Sequence, residues 1–487
     1  MSSLYPFKPY VLTPLDHYMV PAVILRTISF KPHSHAKAIA RLAQALEALT
    51  EHFPYLSGNI VPSKQLASKT NVFEVQPATA EFLVELPMLQ VKEHSRRISE
   101  IVTGQPPLSS SINYDSIFRN DEFLLFPRSM VMTDFSPLLR MQVNLIQSIL
   151  ILTIAVNHRA MDGIGTSIIY QMLANFCQTP RLIPDAVQLH PTTAYQTSCR
   201  KNIFSMIANH RKDWLRSTNS RGTRRNPTCV SPETDTTFIE SKVQVDNRTV
   251  HQLRHACARY IPDIPEEQTS IPTLNETITA LLWLCRARSL SRIACSSSSS
   301  RRDNPSCSQG KTDFHFCSLI DLRTRELCPP IPRSYVGNAF FLVSTTCKLP
   351  DGVETTSPSD SIKLVAYLVR ELQRNVELAD ENYIGAFFAK CASEVAWVST
   401  LPGFDFAVSN IRHLRLATLD FGEQLGRSVD GGDSRALMVS RAAWILPSRN
   451  GELDAPYEIR VCLEAEEMAA FLKDPLLQEA ISGHLGL

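Results

Sequence analysis

The chain has 487 residues, 49 of them basic and 48 acidic, for a net charge of +1. That length exceeds one ordinary hydrophobic core and suits two domains. The 44% hydrophobic and 20% charged content fits a globular protein and excludes a disordered or fibrous one, and the lack of a basic excess argues against a nucleic-acid binder.

The opening stretch, "MSSLYPFKPYVLTPLDHYMV", has no basic segment followed by an apolar run and a small-residue cleavage site. No signal peptide is expected. "SHAKAIARLAQALEALTEHFPYLSG" predicts a helix. Ile39, Leu42, Leu46, Leu49 and Phe53 form one apolar stripe, Ser34 is the N-cap, and Pro54 with Gly58 ends the element. The longest apolar segment, Leu145 to Val156, is broken by Gln147, Ser148 and Thr153. It falls short of the roughly 18 apolar residues of a membrane span. Within it "ILILTIAV" reads as a strand buried on both faces. Helical spacing resumes after Gly165 through Ile168, Ile169, Met172, Leu173 and Phe176. Residues 179 to 237, rich in Pro, Arg, Ser and Thr, read as a crossover between domains.

"TLNETITALLWLCRARSLSR" predicts a second long helix capped by Thr273 or Asn275. The Cys295 to Lys311 stretch reads as a low-complexity loop. "FHFCSLIDLRTR" alternates like a strand. "RAAWILPSRNGELDAPYEIRVCLE" reads as two strands joined by a tight turn at Asn450–Gly451. "AEEMAAFLKDPLLQEAI" reads as one amphipathic helix. The 12 cysteines are scattered from Cys177 onward without a C-x-x-C pair, so no metal site is expected and reduced thiols fit a cytoplasmic protein. Mixed strands and helices in both halves indicate an α/β or α+β fold.

The chemistry concentrates in "VNHRAMDGIGTS", Val156 to Ser167. His158 follows the buried strand and precedes the helix, so its side chain is rigidly placed and can face a cleft. A neutral imidazole is a natural general base for an alcohol or amine. The resulting oxygen could attack a thioester directly. No G-x-S-x-G elbow or recognisable cysteine nucleophile competes with this reading. Gly163 and Gly165 would let the backbone pass close to a ligand. Asp162 has two readings. It orients the imidazole as a triad carboxylate would, or it turns away to pair with an arginine, for which Arg323 in "IDLRTR" is the candidate.

Several segments, in order, resemble the BAHD-type (HxxxD) acyl-CoA-dependent acyltransferases, in particular the fungal branch that includes the trichothecene 3-O-acetyltransferases. "LTPLDHY" is similar to the L-S-x-L-D opening, and "VNHRAMDGIGT" matches H-x-x-x-D-G. "TLNETITALLWLCRARS" resembles the N-D-x-x-x-A-L-x-W helix. "IDLRTRELCPPIPRSYVGNAF" is similar to D-x-R-x-R-x-x-P-P-x-P-x-x-Y-x-G-N, the most specific match. "VSNIRHLRLATLDFGEQLGR" resembles the S-x-W…D-F-G segment, without its Trp and without the Trp-Gly that follows D-F-G in plant members.

The resemblance implies a two-domain chloramphenicol-acetyltransferase-like fold with an interdomain active-site tunnel. It places an N-terminal domain over 1–190 and a crossover linker over 191–238. The C-terminal domain, carrying the DFG-type motif, spans 239–487. It makes His158 the general base and Asp162 structural, paired with Arg323. Asp420 enters as a signature-motif residue, with Phe421 and Gly422, near the CoA mouth, in an architectural role. Ser409 and Asn410 become candidate oxyanion donors on the CoA side. It implies acyl-CoA as co-substrate with no permanent cofactor or metal. The acceptor is a small-molecule alcohol, a fungal terpenoid or polyketide. The protein is expected to be a cytoplasmic monomer with no nucleic-acid or membrane partner. A condensation-type domain fed by a carrier protein, and a non-catalytic family member acting as a binding partner, are the alternatives.

Other residues carry structural expectations first. His17 reads as a partly buried histidine, with an acceptor contact as second reading. Trp283 and Trp444 read as core. Arg286 and Arg288 read as helix-end cations, with a CoA phosphate contact second. Tyr335, Gly337 and Asn338 read as a packing turn.

Overall fold

The computed structural model describes residues 5–18, 22–66, 69–95, 136–179, 192–217, 238–260, 271–299, 313–397, 404–414, 418–434, 440–448, 451–452 and 454–485. The first elements are β1 (Tyr10–Val11), α1 (Pro14–Tyr18), β2 (Val23–Phe30), α2 (His35–His52), β3 (Asn59–Pro62), β4 (Phe73–Gln76) and α3 (Ala80–Glu85). Then come β5 (Leu89–His94), β6 (Leu139–Ile146), β7 (Ile149–Asn157), α4 (Gly163–Gln178), α5 (Thr193–Ser217), β8 (Phe238–Val245), α6 (Asn247–Ala258) and α7 (Leu274–Ser299). They are followed by β9 (Asp313–Asp321), β10 (Phe340–Lys348), α8 (Pro358–Leu378), α9 (Glu381–Ser393), β11 (Phe406–Asn410) and β12 (Asp430–Ser434). The last are β13 (Ala442–Ile445), β14 (Tyr457–Glu464), α10 (Ala465–Leu472) and α11 (Pro475–Ser482).

One sheet runs β12-β2-β7-β6-β5. Every residue of β2, β6 and β7 is buried, so the sheet centre is covered on both faces, with Arg140, Gln142 and Asn144 among the buried polar side chains. α2 supplies one cover. Ser34 Oγ accepts from the Lys37 N–H, and Leu42, Leu46 and Leu49 sink into a core shared with Ile28, Leu152 and Ile154. A second sheet runs β10-β9-β11-β13-β14-β8. α7 packs on it, with the Trp283 ring stacked on Phe316 at 4.6 Å. Thr273 is the cap of α7: its Oγ1 accepts from the Glu276 N–H, and the Glu276 carboxylate accepts from the Thr273 N–H, a reciprocal box that removes two orphan donors. A small sheet runs β1-β4-β3.

The structure departs from the sequence reading in several places. The stretch expected as a crossover contains α5, whose Ile203 and Met206 share a core with Leu322 and Phe388. The first sheet takes its edge strand β12 from beyond residue 239, paired antiparallel to β2. Arg286 and Arg288 are not at a helix end. They are buried within α7, where Arg286 donates to Glu467 at 2.7 Å and Arg288 to Asp474 at 3.4 Å. Residues 295 to 299 of the expected loop belong to α7, and the rest of it lies outside the described residues. The C-terminal helix is two helices, because Asp474 caps a new start at Pro475 and a proline cannot continue the first. β13 and β14 do pair antiparallel, but residues 446–456 separate them. Pro447, with no N–H to donate, sits just past the last rung. Asn450 lies outside the described residues, while Gly451 has a φ of 74°. Among the described residues no helix is long and apolar enough to cross a membrane.

Candidate active site

β7 ends at Asn157, and its pairing with β2 runs to Val23 opposite Asn157. The next backbone N–H, that of His158, donates to the Ala22 carbonyl at 2.8 Å. The Asn157 side chain then accepts from the Arg159 N–H at 3.1 Å, which turns the chain. Asp162 caps α4 by accepting from the Gly165 N–H at 2.8 Å. His158 is thus held between a buried strand and a capped helix start. Burial pushes its imidazole below the usual histidine range. Its own carbonyl, Asp162 and the Asn338 amide oppose that push, and Arg26 adds to it. The neutral imidazole is therefore favoured.

Asp162 does not bond to the imidazole. Arg323 grips it at both oxygens, at 2.9 and 3.0 Å, and the Ala339 N–H donates to it at 2.9 Å. Arg323 lies in the 3-10 turn after β9 and is buried. It also donates to the carbonyls of Tyr335 and Gly337 and to Asp321. This bidentate pair ties the α4 start to residues 321–339.

Gly165 serves that junction. A Cβ there would come within 1.8 Å of the Val336 carbonyl oxygen and 2.6 Å of its carbon. The close approach the sequence suggested for a ligand is made by protein backbone instead. Gly165→Ala should therefore cost about 3 kcal/mol or more in stability, read as lost soluble yield or a lowered melting point. A variant that melts like wild type would remove this packing argument.

A cavity of about 240 Å³ opens beside the α4 start, lined among others by Ile24, Arg26, Gly163, Thr166, His413 and Leu419. Ile24 lies opposite Val156, at the end of β7. His158 does not line this cavity itself. Burial lowers the His413 pKa, against the charges of Asp321 and Asp162. Sequence reasoning missed His413, although it lies in the quoted "VSNIRHLRLATLDFG". It likewise missed Arg26 and Thr166, which look like ordinary strand and helix residues in one dimension.

The DFG-type segment sits at the far end of α4. The Asp420 carbonyl accepts from the Gln178 side chain at 2.7 Å, and the Asp420 carboxylate accepts from the Gly422 N–H at 2.9 Å and lies 3.8 Å from Arg427. Gly422 has a φ of 78°, and a Cβ on it would press on Gln178 and Cys177. Phe421 is buried against Phe30 at 5.0 Å. α4 rises about 22 Å between its two ends, so Asp420 shapes a loop and does not touch His158.

Ser409 and Asn410 do not line the cavity. The Asn410 amide is engaged at both ends, donating to Asn275 at 2.6 Å and accepting from the Arg412 N–H at 2.9 Å. Ser409 lies on β11 opposite Trp444. Neither hydrogen-bonds to His158 among the described residues. Among the described residues no group of three or more metal-ligating side chains is placed to hold an ion.

His17 is buried with both ring nitrogens used: Nδ1 meets the Thr13 carbonyl at 2.8 Å, and Nε2 accepts from the Phe73 N–H at 2.9 Å. Burial pushes its pKa down to about 4 from 6.5. A depressed histidine stabilises the fold above pH 6.5 and loses that contribution as pH falls through 4. The stability gap between wild type and His17→Gln, measured by urea unfolding, should therefore shrink by about 3 kcal/mol between pH 7 and 4. A gap that stays constant would contradict it.

Comparison with known proteins shows the family. Residues 25–177 match a trichothecene 3-O-acetyltransferase-like N-terminal domain, and residues 118–477 match the Transferase family. The chain belongs to the Transferase family. It is 27% identical to the communesin N16 acyltransferase cnsK of Penicillium expansum, covering 98% of both chains. It is 23% identical to the fumigaclavine B O-acetyltransferase easN of Aspergillus fumigatus, covering 96% of both. Its fold is similar to the crystal structure of F. sporotrichioides TRI101 complexed with coenzyme A and T-2, with a TM-score of 0.65 and 15% identity over 97% of this chain and 99% of that one.

Proposed function

We propose that the chain transfers an acyl group, acetyl by preference, from acyl-CoA to a hydroxyl of a small molecule, a fungal secondary metabolite of terpenoid or polyketide type. The observation that carries this reading is His158: a histidine kept neutral by burial at the end of a fully buried strand, in a chain of the Transferase family. Nε2 takes the hydroxyl proton as general base. The freed oxygen attacks the thioester carbonyl and a C–O bond forms. The C–S bond then breaks, and the CoA thiolate takes the proton back from Nε2. No acyl-enzyme forms and His158 ends neutral. Asp162, Gly163 and Arg323 support the turn, while Asp420, Phe421 and Gly422 shape the loop beyond α4. Acyl-CoA is a co-substrate, and no resident cofactor is needed.

The reading keeps two halves, 1–190 and 239–487, with 191–238 between them, and puts the reaction where they meet. One chain supplies His158, Asp162 and Arg323, which suits a monomer. The ten described cysteines are free, which suits the cytoplasm. An amine acceptor is the second reading, favoured by the similarity to an N16 acyltransferase.

The test measures CoA thiol released from acetyl-, malonyl- and longer acyl-CoAs with a panel of hydroxylated terpenoids and polyketides, and with amines beside them. Release that needs both an acceptor and His158 is expected. Transfer from an acylated carrier protein but never from free acyl-CoA would replace the reading with a condensation reaction. Neither release nor acyl-CoA binding would leave a non-catalytic binding partner.

A further inference from the structure

Asn338 lies just before β10, fully buried beside the His158 turn. Its side-chain nitrogen donates to Asp16 Oδ1 at 2.9 Å, to the His158 carbonyl at 3.0 Å and to the Arg159 carbonyl at 3.1 Å. Its backbone N–H donates to the same Asp16 oxygen at 3.2 Å. Asp16, 1% exposed, is fixed in turn by the N–H and hydroxyl of Thr13, both at 2.7 Å. One carboxamide therefore joins α1, the His158 turn and the segment before β10.

This network sets which way the carboxamide points. Turned over, its oxygen would face a carboxylate and two carbonyls, all acceptors. The nitrogen therefore stays where it is, and Oδ1 points away from that cluster. There it is buried without a hydrogen-bond partner, and so is Nδ1 of His158. A buried polar atom left without a partner destabilises the fold. The two are complementary: Oδ1 is an acceptor, and Nδ1 is a donor in the tautomer that leaves Nε2 bare. The His158 carbonyl and the Asp162 charge, and after them the Asn338 amide, are the groups that favour the charged imidazole.

We propose that Asn338, held by Asp16, is a positioning residue for His158. Its nitrogen fixes the His158 main chain, and its oxygen takes the Nδ1 proton, which selects the tautomer with Nε2 as the base. The inference rests on the general-base reading above. Nδ1 keeps its proton throughout the cycle, and only Nε2 gains one and returns it.

The full chain labelled with ¹⁵N in its histidine rings provides the test. Long-range proton–nitrogen spectra distinguish the two tautomers, and the His158 signals are those missing from His158→Ala. Wild-type His158 is expected to carry its proton on Nδ1, and Asn338→Ala to show a mixture of tautomers. With acetyl-CoA and an acceptor that gives His158-dependent thiol release, Asn338→Ala should lose about a hundredfold in kcat with KM for acetyl-CoA within about twofold. A wild-type ring protonated on Nε2 overturns the proposal without any variant. So does an Asn338→Ala protein that keeps both the tautomer and the rate. If His158→Ala itself keeps turning over, the general-base reading fails first; if only Asn338→Ala does, that reading stands and the positioning role falls.

Discussion

Replacing His158 by alanine is expected to lower turnover by about a thousandfold while the melting curve stays near that of wild type. General-base assistance contributes about 10² to 10⁴ in rate, and no other described group takes over. Asp162 is fully engaged by Arg323, Gly165 and Ala339, and Asp420 lies beyond the far end of α4. The fold should tolerate the change, because the His158 N–H bond to Ala22 and the bond from the Asn338 amide to the His158 carbonyl both belong to backbone that alanine keeps. The pH profile gives a second readout. The base works only when unprotonated, and burial holds its pKa below 6.5. The acid limb of kcat/KM should therefore fall below pH 6.5, with a plateau above it. Near-wild-type turnover by His158→Ala, whatever its profile, would remove the general-base role.

How much of this was legible in the sequence depends on whether the signal is local. Ser34, the stripe of α2, the unbroken apolar run of β7 and the helix after Gly165 are local patterns, and the structure realises them where they were read. The cap at Thr273 is local too. The expected pairing of Asp162 with Arg323 spans 161 positions in the chain. Arg323 was one candidate partner on residue type, and the family-like order of motifs singled it out; spacing could not. What stayed hidden was long-range and polar. Arg286 and Arg288 look like helix-end cations until Glu467 and Asp474 arrive from the C-terminal helices. Asn338 looks like a turn residue until Asp16 and the His158 carbonyl meet it. Ser409 and Asn410 lie in a family-like segment, whose spacing could not show that β11 pairs in parallel with both β9 and β13. A sequence records each partner's type but not the return path of the chain that brings the partners together.

Asp162→Ala should reduce both stability and rate, with stability the larger surprise for a residue in a catalytic signature. Removing one partner of a buried ion pair costs about 3–5 kcal/mol, because the remaining charge is left in a poor solvent. Here that charge is the buried Arg323 guanidinium, whose other acceptors are two carbonyls and Asp321, a carboxylate 25% exposed. The variant also loses the cap on the Gly165 N–H, worth about 1 kcal/mol, and orphans the Ala339 N–H. A fall of about 10 °C in the melting point is expected for a domain of this size. The rate should fall with it, since the His158 turn loses its anchor to residues 321–339. A double variant, Asp162→Ala with Arg323→Ala, should cost less than the two single changes summed, because it no longer buries a lone charge. Full additivity would mean that the two residues act independently. A single variant that lost only rate, with an unchanged melting curve, would move Asp162 from structural support into the chemistry itself.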